Sequence, residues 1–405
     1  MKNLCFIIDS MSGGGAERVV LNLSHAVIEL GHHVHIIILE NKISYEISHD
    51  SFDLHILTEN KKLSSNKFWN KVLIARELKR MVNDLEEKHG EFDLIISNLE
   101  DSDKTSSMAK LHNLYHCYHI SMQQFLAQKT NNKKYYKSLF RRLKEHSRHK
   151  YLYNNSNMIA VSEGVMSDIL DFGVKPKSIV PIYNPFNTKE IRSEANKFDD
   201  KIPKEKYIIN VARFSAQKRH DILIQAYAKS NIDHKLVLMG TTDKPADEEN
   251  LKKIKKLIND LGIHNQVIFT GFVTNPYPWV KNADLFVLSS DHEGLANVLV
   301  ESLILNTMVV STNCPFGPSE VLTGKLSDFL SPIGDVEALS TNILKALNNP
   351  IEITEDLIEK FDAKTIAKQY LIDTDWYVSR KAEADIAIPA DVLALRQQAR
   401  LDASS

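Results

Sequence analysis

The stretch Ala283-Asp284-Leu285-Phe286-Val287-Leu288, then Ser289-Ser290-Asp291-His292, then Glu293-Gly294-Leu295-Ala296-Asn297-Val298-Leu299-Val300-Glu301, decides how this chain is read. Its first part is a continuous apolar run, as in a strand buried on both faces, and Asn297 to Leu305 has helical spacing. Glu293 therefore falls in the loop at a strand's carboxyl end, and Glu301 in the helix that follows. Ligands of open α/β sheets bind at that edge. The backbone N–H groups of Gly294, Leu295, Ala296 and Asn297 suit a phosphate, and a carboxylate on either side suits sugar hydroxyls. The plain alternative is two solvated glutamates flanking an ordinary helix.

Outward from that turn the same alternation repeats in both directions. In the first half, apolar strands are expected at Leu4–Ile8, Val34–Leu39, Leu54–Leu57, Phe92–Ser97, Tyr115–Ile120 and Met158–Val161. Helices run from Ala16 to about Leu30 and from Phe68 to Glu87. In the second half, strands are expected at Tyr207–Val211, Lys235–Met239, Val267–Phe269, Leu285–Leu288 and Met308–Ser311, with helices at Gln217–Lys229, Glu248–Leu261, Asn297–Leu305 and Asp335–Leu347. Repeated β-α units with continuous apolar strands predict doubly wound parallel sheets. The fold class is α/β, with two Rossmann-like domains facing a central cleft, a favoured place for ligands. The expected division is 1–185 for an acceptor-binding domain, 186–362 for a donor-binding domain, and 363–380 for a helix returning to the first domain. Residues 381–405 are Ala-rich and read as an appendage or an added remnant, with no assigned function.

Composition bounds the class. The 405 residues carry 43% hydrophobic and 25% charged side chains and a net charge of −2, globular values with no global pull toward nucleic acid or membrane. Three cysteines, Cys5, Cys117 and Cys314, are widely spaced and suggest reduced thiols, without disulfide or zinc spacing. Met1-Lys2-Asn3 runs straight into a strand, and no apolar stretch approaches the ~20 residues of a spanning helix. A cytoplasmic protein is expected, at most peripheral to a membrane.

Several further groups bear on chemistry. Arg213 and Lys218 follow a strand end in Asn210-Val211-Ala212-Arg213-Phe214-Ser215-Ala216-Gln217-Lys218, where a guanidinium fork and an ammonium together neutralise a diphosphate; surface cations on a solvated loop are the alternative. Gly13-Gly14-Gly15-Ala16-Glu17-Arg18 opens the first helix, where glycine lets a ligand approach the backbone. Arg18 stands where the dinucleotide fingerprint G-x-G-x-x-G needs its third glycine, and the acid expected for a ribose is Glu40 at best, so an NAD-dependent oxidoreductase ranks low. Asp101-Ser102-Asp103 is either a metal-binding pair or a helix N-cap, and the N-cap is preferred. The basic run Lys133, Lys134, Lys137, Arg141, Arg142 and Lys144, interleaved with aromatic and aliphatic residues, suits an anionic membrane or a lipid-linked acceptor, or is a helix with a solvated basic face. No nucleic-acid module accompanies it.

The Glu293–Glu301 pair resembles the E-x7-E signature of retaining glycosyltransferases of family 4, which have the GT-B fold. The Arg213/Lys218 loop, the Gly-Gly-Ala-Glu-Arg loop, Ala160-Val161-Ser162-Glu163-Gly164-Val165, Phe269-Thr270-Gly271-Phe272, Asn275-Pro276-Tyr277-Pro278-Trp279 and Ser311-Thr312-Asn313-Cys314-Pro315-Phe316-Gly317-Pro318-Ser319-Glu320 add to it. The resemblance spans roughly residues 1–375 and is closest to bacterial surface-polysaccharide enzymes of the lipopolysaccharide and capsule type. It implies that Arg213 and Lys218 grip the donor diphosphate and help it leave. Glu293 would contact the sugar and Glu301 the ribose hydroxyls. Gly14 and Gly15 would lie near donor and acceptor, and Gly240, Phe272 and Val273 near base and ribose. Ordinary turn glycine is the alternative for the last set. His119 would face the sugar, against the alternative of a buried structural histidine. Family members often carry Gly before the Arg and after the Lys, where Ala212 and Arg219 stand here, which leaves that loop's backbone geometry open.

The function implied is transfer of a hexose or N-acetylhexosamine from a nucleotide-diphosphate sugar, UDP first, to a glycan or lipid-linked glycan, at the cytoplasmic face of the inner membrane. No metal or other cofactor is expected, because Arg213 and Lys218 supply the positive charge. The alternatives are a GT-B sugar-nucleotide epimerase and a non-catalytic nucleotide-binding protein.

Overall fold

The computed structural model describes residues 1–12, 14–43, 52–58, 68–122, 135–242 and 244–374, the side chains of 68, 69 and 135–142 excepted. Its strands are β1 Asn3–Ile8, β2 His33–Glu40, β3 Asp53–Thr58, β4 Leu94–Asn98, β5 Leu114–Tyr118, β6 Asn157–Ala160 and β7 Ser178–Pro181, then β8 Tyr207–Val211, β9 Lys235–Met239, β10 Val267–Gly271, β11 Leu285–Leu288, β12 Val309–Thr312 and β13 Leu330–Ser331. They form two sheets, of order β3-β2-β1-β4-β5-β6-β7 and β10-β9-β8-β11-β12-β13. Each described pairing is parallel. In both sheets the winding reverses beside the first strand, between β1 and β4 and between β8 and β11. Crevices at such switch points, outside the carboxyl ends of the strands, hold ligands.

The strands form because β-branched and aliphatic residues run without interruption. All six residues of β1 and all four of β11 are buried. The first sheet carries one apolar core on each face: Val20, Leu23 and Val27 of the helix Gly15–Glu29 pack on one, and Leu78, Val82 and Leu85 of the helix Phe68–His89 on the other. The second domain has its own core around Phe286, Leu299 and Ile343. The helix Ala363–Asp373 places Ile366, Ala367 and Tyr370 in the core of the first domain. The chain crosses between domains twice, and the crossings run side by side: Phe186 N–H donates to the Phe361 carbonyl and Ala363 N–H to the Phe186 carbonyl, each at 2.9 Å.

Some elements differ from the sequence reading. The helix read from Gln217 begins at His220, because Arg219 takes the left-handed conformation (φ 46°) after a single tight turn at Ala216–Lys218. The strand read as Tyr115–Ile120 ends at Tyr118, which puts His119 in the loop beyond it. The polar stretch between domains contains the short helix Thr188–Glu194, capped by the Asn187 side chain accepting from Glu190 N–H at 3.1 Å. Two turns bury Ile191 and leave too little length for a periodic signal. The sequence pattern does not show β7, whose residues are only partly buried between Ser178 and Pro181, or β13, which has two residues. Among the described residues no helix is long and apolar enough to cross a membrane. The segment 381–405 lies outside the described residues.

Candidate active site

The loops leaving β8 and β11 are stitched into one platform. Asp291 N–H donates to the Gln217 carbonyl at 2.9 Å, the Gln217 side-chain amide to the His292 carbonyl at 2.7 Å, and the Ser289 hydroxyl to the Lys218 carbonyl at 2.8 Å. On this platform Lys218 Nζ donates to Glu293 Oε1 at 2.7 Å, with side chains only 16% and 10% exposed. The Glu293 backbone is clamped in turn: its N–H donates to the Pro315 carbonyl and its own carbonyl accepts from Phe316 N–H. Gly317 lies so close to Leu295 that a side-chain carbon there would come within 2.6 Å of its backbone. Ala296, left-handed at φ 61°, opens the helix Asn297–Ile304 without a side-chain cap. Among the described residues the amides of Gly294, Leu295 and Ala296 have no acceptor, so donors cluster beside the Lys218–Glu293 pair. The half-buried His292 adds an Nε2 atom with no partner among the described residues.

Arg213 is exposed just past β8, in the loop that also carries Lys218. Arg219 replaces the glycine expected at a left-handed position, and its guanidinium is tied down. It forks onto Asp221 at 2.9 Å through two nitrogens and reaches Asp291 at 3.0 Å. Those charge-assisted bonds offset the roughly 1–2 kcal/mol that a left-handed L-residue costs. At Ala212 the loop is tight: a side-chain carbon on Gly240 would sit 1.9 Å from the Ala212 carbonyl oxygen. Phe272 is 73% exposed at the end of β10, and Val273 packs against the second domain's core.

Glu301 sits on the first helix turns beyond this platform and is met from across the cleft. Tyr277 Oη donates to Glu301 Oε1 at 3.3 Å, and Arg18 lies 3.6 Å from the same oxygen while donating to Tyr277 Oη at 2.7 Å. Burial pushes the Glu301 carboxyl up, and Arg18 and Tyr277 oppose that push. Burial and the Glu301 charge also raise the Tyr277 phenol, which stays a donor. Gly15, from the glycine loop, lies near Asn297: a side-chain carbon there would stand 3.8 Å from the Asn297 side-chain amide. Asn297 Oδ1 accepts from Asn184 Nδ2 at 2.8 Å. Gly14 precedes the helix, and Gly13 lies outside the described residues.

His119 stands on the facing domain. Its carbonyl oxygen is 2.4 Å from where a side chain on Gly294 would begin, so only glycine admits this closeness of the two domains. Its Nε2 lies 3.0 Å from Asn98 Oδ1, and burial lowers the imidazole to about 4, leaving it neutral at pH 7. His119 also lines a cavity of about 270 Å³ with Asp9, Glu100, Asp103, Tyr118 and Tyr153. Asp9 accepts from Ser102 N–H at 2.7 Å and Ser102 Oγ at 2.6 Å, yet burial still pushes its carboxyl up to about 6.

The Asp101-Ser102-Asp103 reading needs correction. The helix starts at Glu100 with Leu99 at the cap position, so neither aspartate is the N-cap. Asp101 is 60% exposed, whereas Asp103 is buried, bonded to Ser97, His116 and Tyr153. The two carboxylates point to different surroundings and share no cation site. Of the basic run, Lys133 and Lys134 and the side chains of Lys137, Arg141 and Arg142 lie outside the described residues; Lys144 is exposed on the helix Tyr135–Tyr153.

The structure thus brings Lys218, Glu293, Gly294, Asn297, Glu301, Gly15 and His119 to one cleft, with Gly240, Phe272 and Val273 at neighbouring strand ends. Sequence reading assigned no role to Arg18, Tyr277, Asp9 or His292. Asp9 and Arg18 flank the glycine loop on either side, and Tyr277 lies inside a quoted motif, so position marked all three while their partners did not.

Comparisons with known proteins add to this geometry. Residues 13–190 match the family model described as Glycosyltransferase Family 4, and residues 192–363 the model described as Glycosyl transferases group 1. The N-acetylgalactosamine-N,N'-diacetylbacillosaminyl-diphospho-undecaprenol 4-alpha-N-acetylgalactosaminyltransferase of Campylobacter jejuni is 30% identical over 333 residues, covering 79% of this chain and 83% of that protein. The lipopolysaccharide 1,6-galactosyltransferase of Salmonella typhimurium is 23% identical over 204 residues, 49% of this chain and 55% of that protein. Among solved structures, a Rickettsia africae glycosyltransferase superposes with a TM-score of 0.70 at 18% identity, covering 92% of this chain and 98% of its own. Anabaena HepE in complex with UDP gives 0.65 at 18% identity, covering 95% and 100%.

Proposed function

The chain belongs to the family 4 glycosyltransferases with GT-B architecture, and from that premise we propose that it moves a hexose or N-acetylhexosamine, with retention, from a UDP-sugar to a glycan or lipid-linked glycan in surface-polysaccharide synthesis. The observation that carries this reading is the meeting of the Lys218–Glu293 pair, the Gly294–Ala296 amides and Glu301 on one cleft wall. In the reaction the donor's bond between sugar and diphosphate breaks while the acceptor oxygen bonds to the same face of the sugar, and the acceptor proton passes to the departing phosphate oxygen. Lys218, Arg213 and the loop amides stabilise the negative charge that grows there, an effect of about 3 kcal/mol for a single preorganised donor. These cations make a metal ion unnecessary. Glu301 takes the ribose hydroxyls. Glu293, ion-paired with Lys218, orients the sugar. Closure of the two domains excludes water and suppresses hydrolysis.

The acceptor enters from the first domain, where Asp9, His119 and Tyr153 line a cavity and the His119 carbonyl comes close to Gly294. The C. jejuni relative's name places a diphospho-undecaprenol on its substrate, which supports a lipid-linked acceptor here. Contact of the basic run 133–144 with the cytoplasmic leaflet belongs to the same proposal.

A thermal-shift screen against UDP-, GDP-, ADP- and CMP-sugars tests the donor without requiring the acceptor. UDP-sugars are expected to raise the melting temperature; Glu301→Ala loses most of that rise, and Lys218→Ala abolishes transfer with the fold intact. A screen in which no nucleotide sugar stabilises the protein, or variants with wild-type rates, would overturn the reading. Proton NMR of the product's anomeric linkage decides retention.

A further inference from the structure

The amino-terminal edge of the first sheet, opposite the cleft, gathers imidazoles. β2 and β3 pair in register with His35 against Asp53 and Ile37 against His55. Alternate strand residues share a face, so His35, Asp53 and His55 project to the same side. The helix Phe68–His89 packs on that side through Leu78, Val82 and Leu85 beside Ile37, and its last residue, His89, ends over His35 with ring centroids 4.9 Å apart. His35 is 2% exposed. Its Nδ1 lies 3.2 Å from His55 Nε2 and 3.5 Å from the Asp53 carboxylate. One donor atom each from His35, Asp53 and His89 falls within 4.8 Å of the others.

That convergence exceeds what a hydrogen bond needs. Zinc–nitrogen and zinc–oxygen bonds of about 2.0–2.2 Å put tetrahedral donors roughly 3.4 Å apart, and exposed Asp53 and His89 are free at the surface to contract onto the buried His35. Phe92 packs edge-on against His35 at 5.3 Å and holds its ring. Imidazoles with a single carboxylate favour zinc-like ions over magnesium or calcium.

We propose that His35, Asp53 and His89, with His55 as a fourth donor, form a binding site for one divalent transition metal, zinc first. The ion would fasten β3 and the end of the helix Phe68–His89 to β2. It takes no part in sugar transfer, so its signature is stability and stoichiometry.

The test uses untagged full-length protein, stripped with a chelator, dialysed and titrated with zinc chloride against a chromophoric zinc indicator, with bound metal counted by mass spectrometry. One equivalent per chain is expected, with a rise in melting temperature that chelator reverses. His89→Asn and Asp53→Asn change exposed side chains and should leave the circular dichroism unaltered. Each is expected to weaken zinc by more than the roughly tenfold cost of losing an outer-shell partner, and the double variant removes the melting rise. The proposal is overturned if wild type holds less than a tenth of an equivalent at low micromolar free zinc, or if both variants bind as tightly as wild type.

Discussion

Asp9 combines a position at the cleft with a titration that can be followed. It ends just past β1 under two hydrogen bonds from Ser102, and burial nevertheless holds its carboxyl at about 6, above the ordinary ~3.9. A folded-state pKa above the unfolded one means that the native state binds this proton more tightly. Stability from that proton is therefore full below about pH 4 and lost as pH rises through 6. Asp9→Asn should then unfold at higher urea than wild type at pH 7.5, by about 3 kcal/mol, with the gap closing toward pH 4. A gap that is absent or constant with pH would refute the burial argument. The same variant should slow transfer while sparing donor binding, since Asp9 lines the cavity proposed for the acceptor. At this scale the sequence displayed the groups whose chemistry depends on a strand end next to them: Glu293, Lys218 and Glu301 follow apolar runs at fixed offsets. It could not display their partners. Lys218 meets Glu293 across 75 residues and Arg18 meets Tyr277 across 259, distances over which no periodicity carries information. His119 was placed beside the sugar by resemblance; the structure gives its carbonyl, rather than its ring, the contact with Gly294.

Strand ends set the limits at the next scale. Gly240 and Gly271 close β9 and β10 and are hydrogen-bonded to each other, Gly240 N–H to the Gly271 carbonyl at 3.0 Å, yet they are glycine for different reasons. Gly240 has no room, because its side-chain carbon would strike the Ala212 carbonyl at 1.9 Å. Gly271 has space on every side but a φ of +70°. Gly271→Ala should therefore cost only the left-handed penalty of about 1 kcal/mol and leave Arg213 in place. Gly240→Ala should cost about 3 kcal/mol and weaken donor binding as well, since it pries the end of β8, which carries Arg213, away from β9. Denaturant unfolding and donor titration of both variants check the pair. Equal losses in the two would mean that steric closeness at Ala212 is not what demands the glycine. The loop after Lys218 makes the same point in reverse. Its sequence lacks glycine, so the apolar pattern reads straight through into a helix. Arg219 breaks the helix there because Asp221 and Asp291 reward a left-handed residue that carries a guanidinium. Fully buried strands such as β1 and β11 were legible because burial on both faces writes itself as an unbroken apolar run. β7 is only partly buried and bounded by Ser178 and Pro181, and β13 and the helix Thr188–Glu194 are too short for that.

In the whole molecule, two domains with separate cores meet through polar contacts and the packing of Phe316 on the first domain, around paired crossings at Phe186 and Asp362. Glu320 of the second domain accepts from the Glu163 and Gly164 amides, both at 2.9 Å, where the helix Glu163–Asp171 begins. Ser162 Oγ donates to the Gly294 carbonyl at 3.1 Å. That the chain builds two parallel sheets was legible from the strand pattern alone, because each half repeats β-α units. How the halves touch was not, since those contacts pair residues with no local signature. Arg18 is the contact with most bearing on function. It comes from the first helix of one domain and supports Glu301, the ribose-binding candidate, on the other, while its guanidinium stacks over the Tyr277 ring at 5.8 Å. Without that cation, only the Tyr277 hydrogen bond still opposes burial at Glu301, so its carboxyl shifts further upward and less carboxylate remains at a given pH. Arg18→Ala should therefore weaken UDP-sugar binding about tenfold at pH 8, roughly 1.4 kcal/mol, and by more at pH 6, whereas Glu301→Gln, which cannot ionise, should lose this pH dependence. Isothermal titration of wild type, Arg18→Ala, Arg18→Lys and Glu301→Gln across pH 6–8 resolves it, with Arg18→Lys restoring part of the affinity because an ammonium reaches Glu301 without the fork. If Arg18→Ala binds the donor as wild type does at both ends of that range, the arginine is a hinge contact only, and Glu301 does not depend on the opposite domain for its charge.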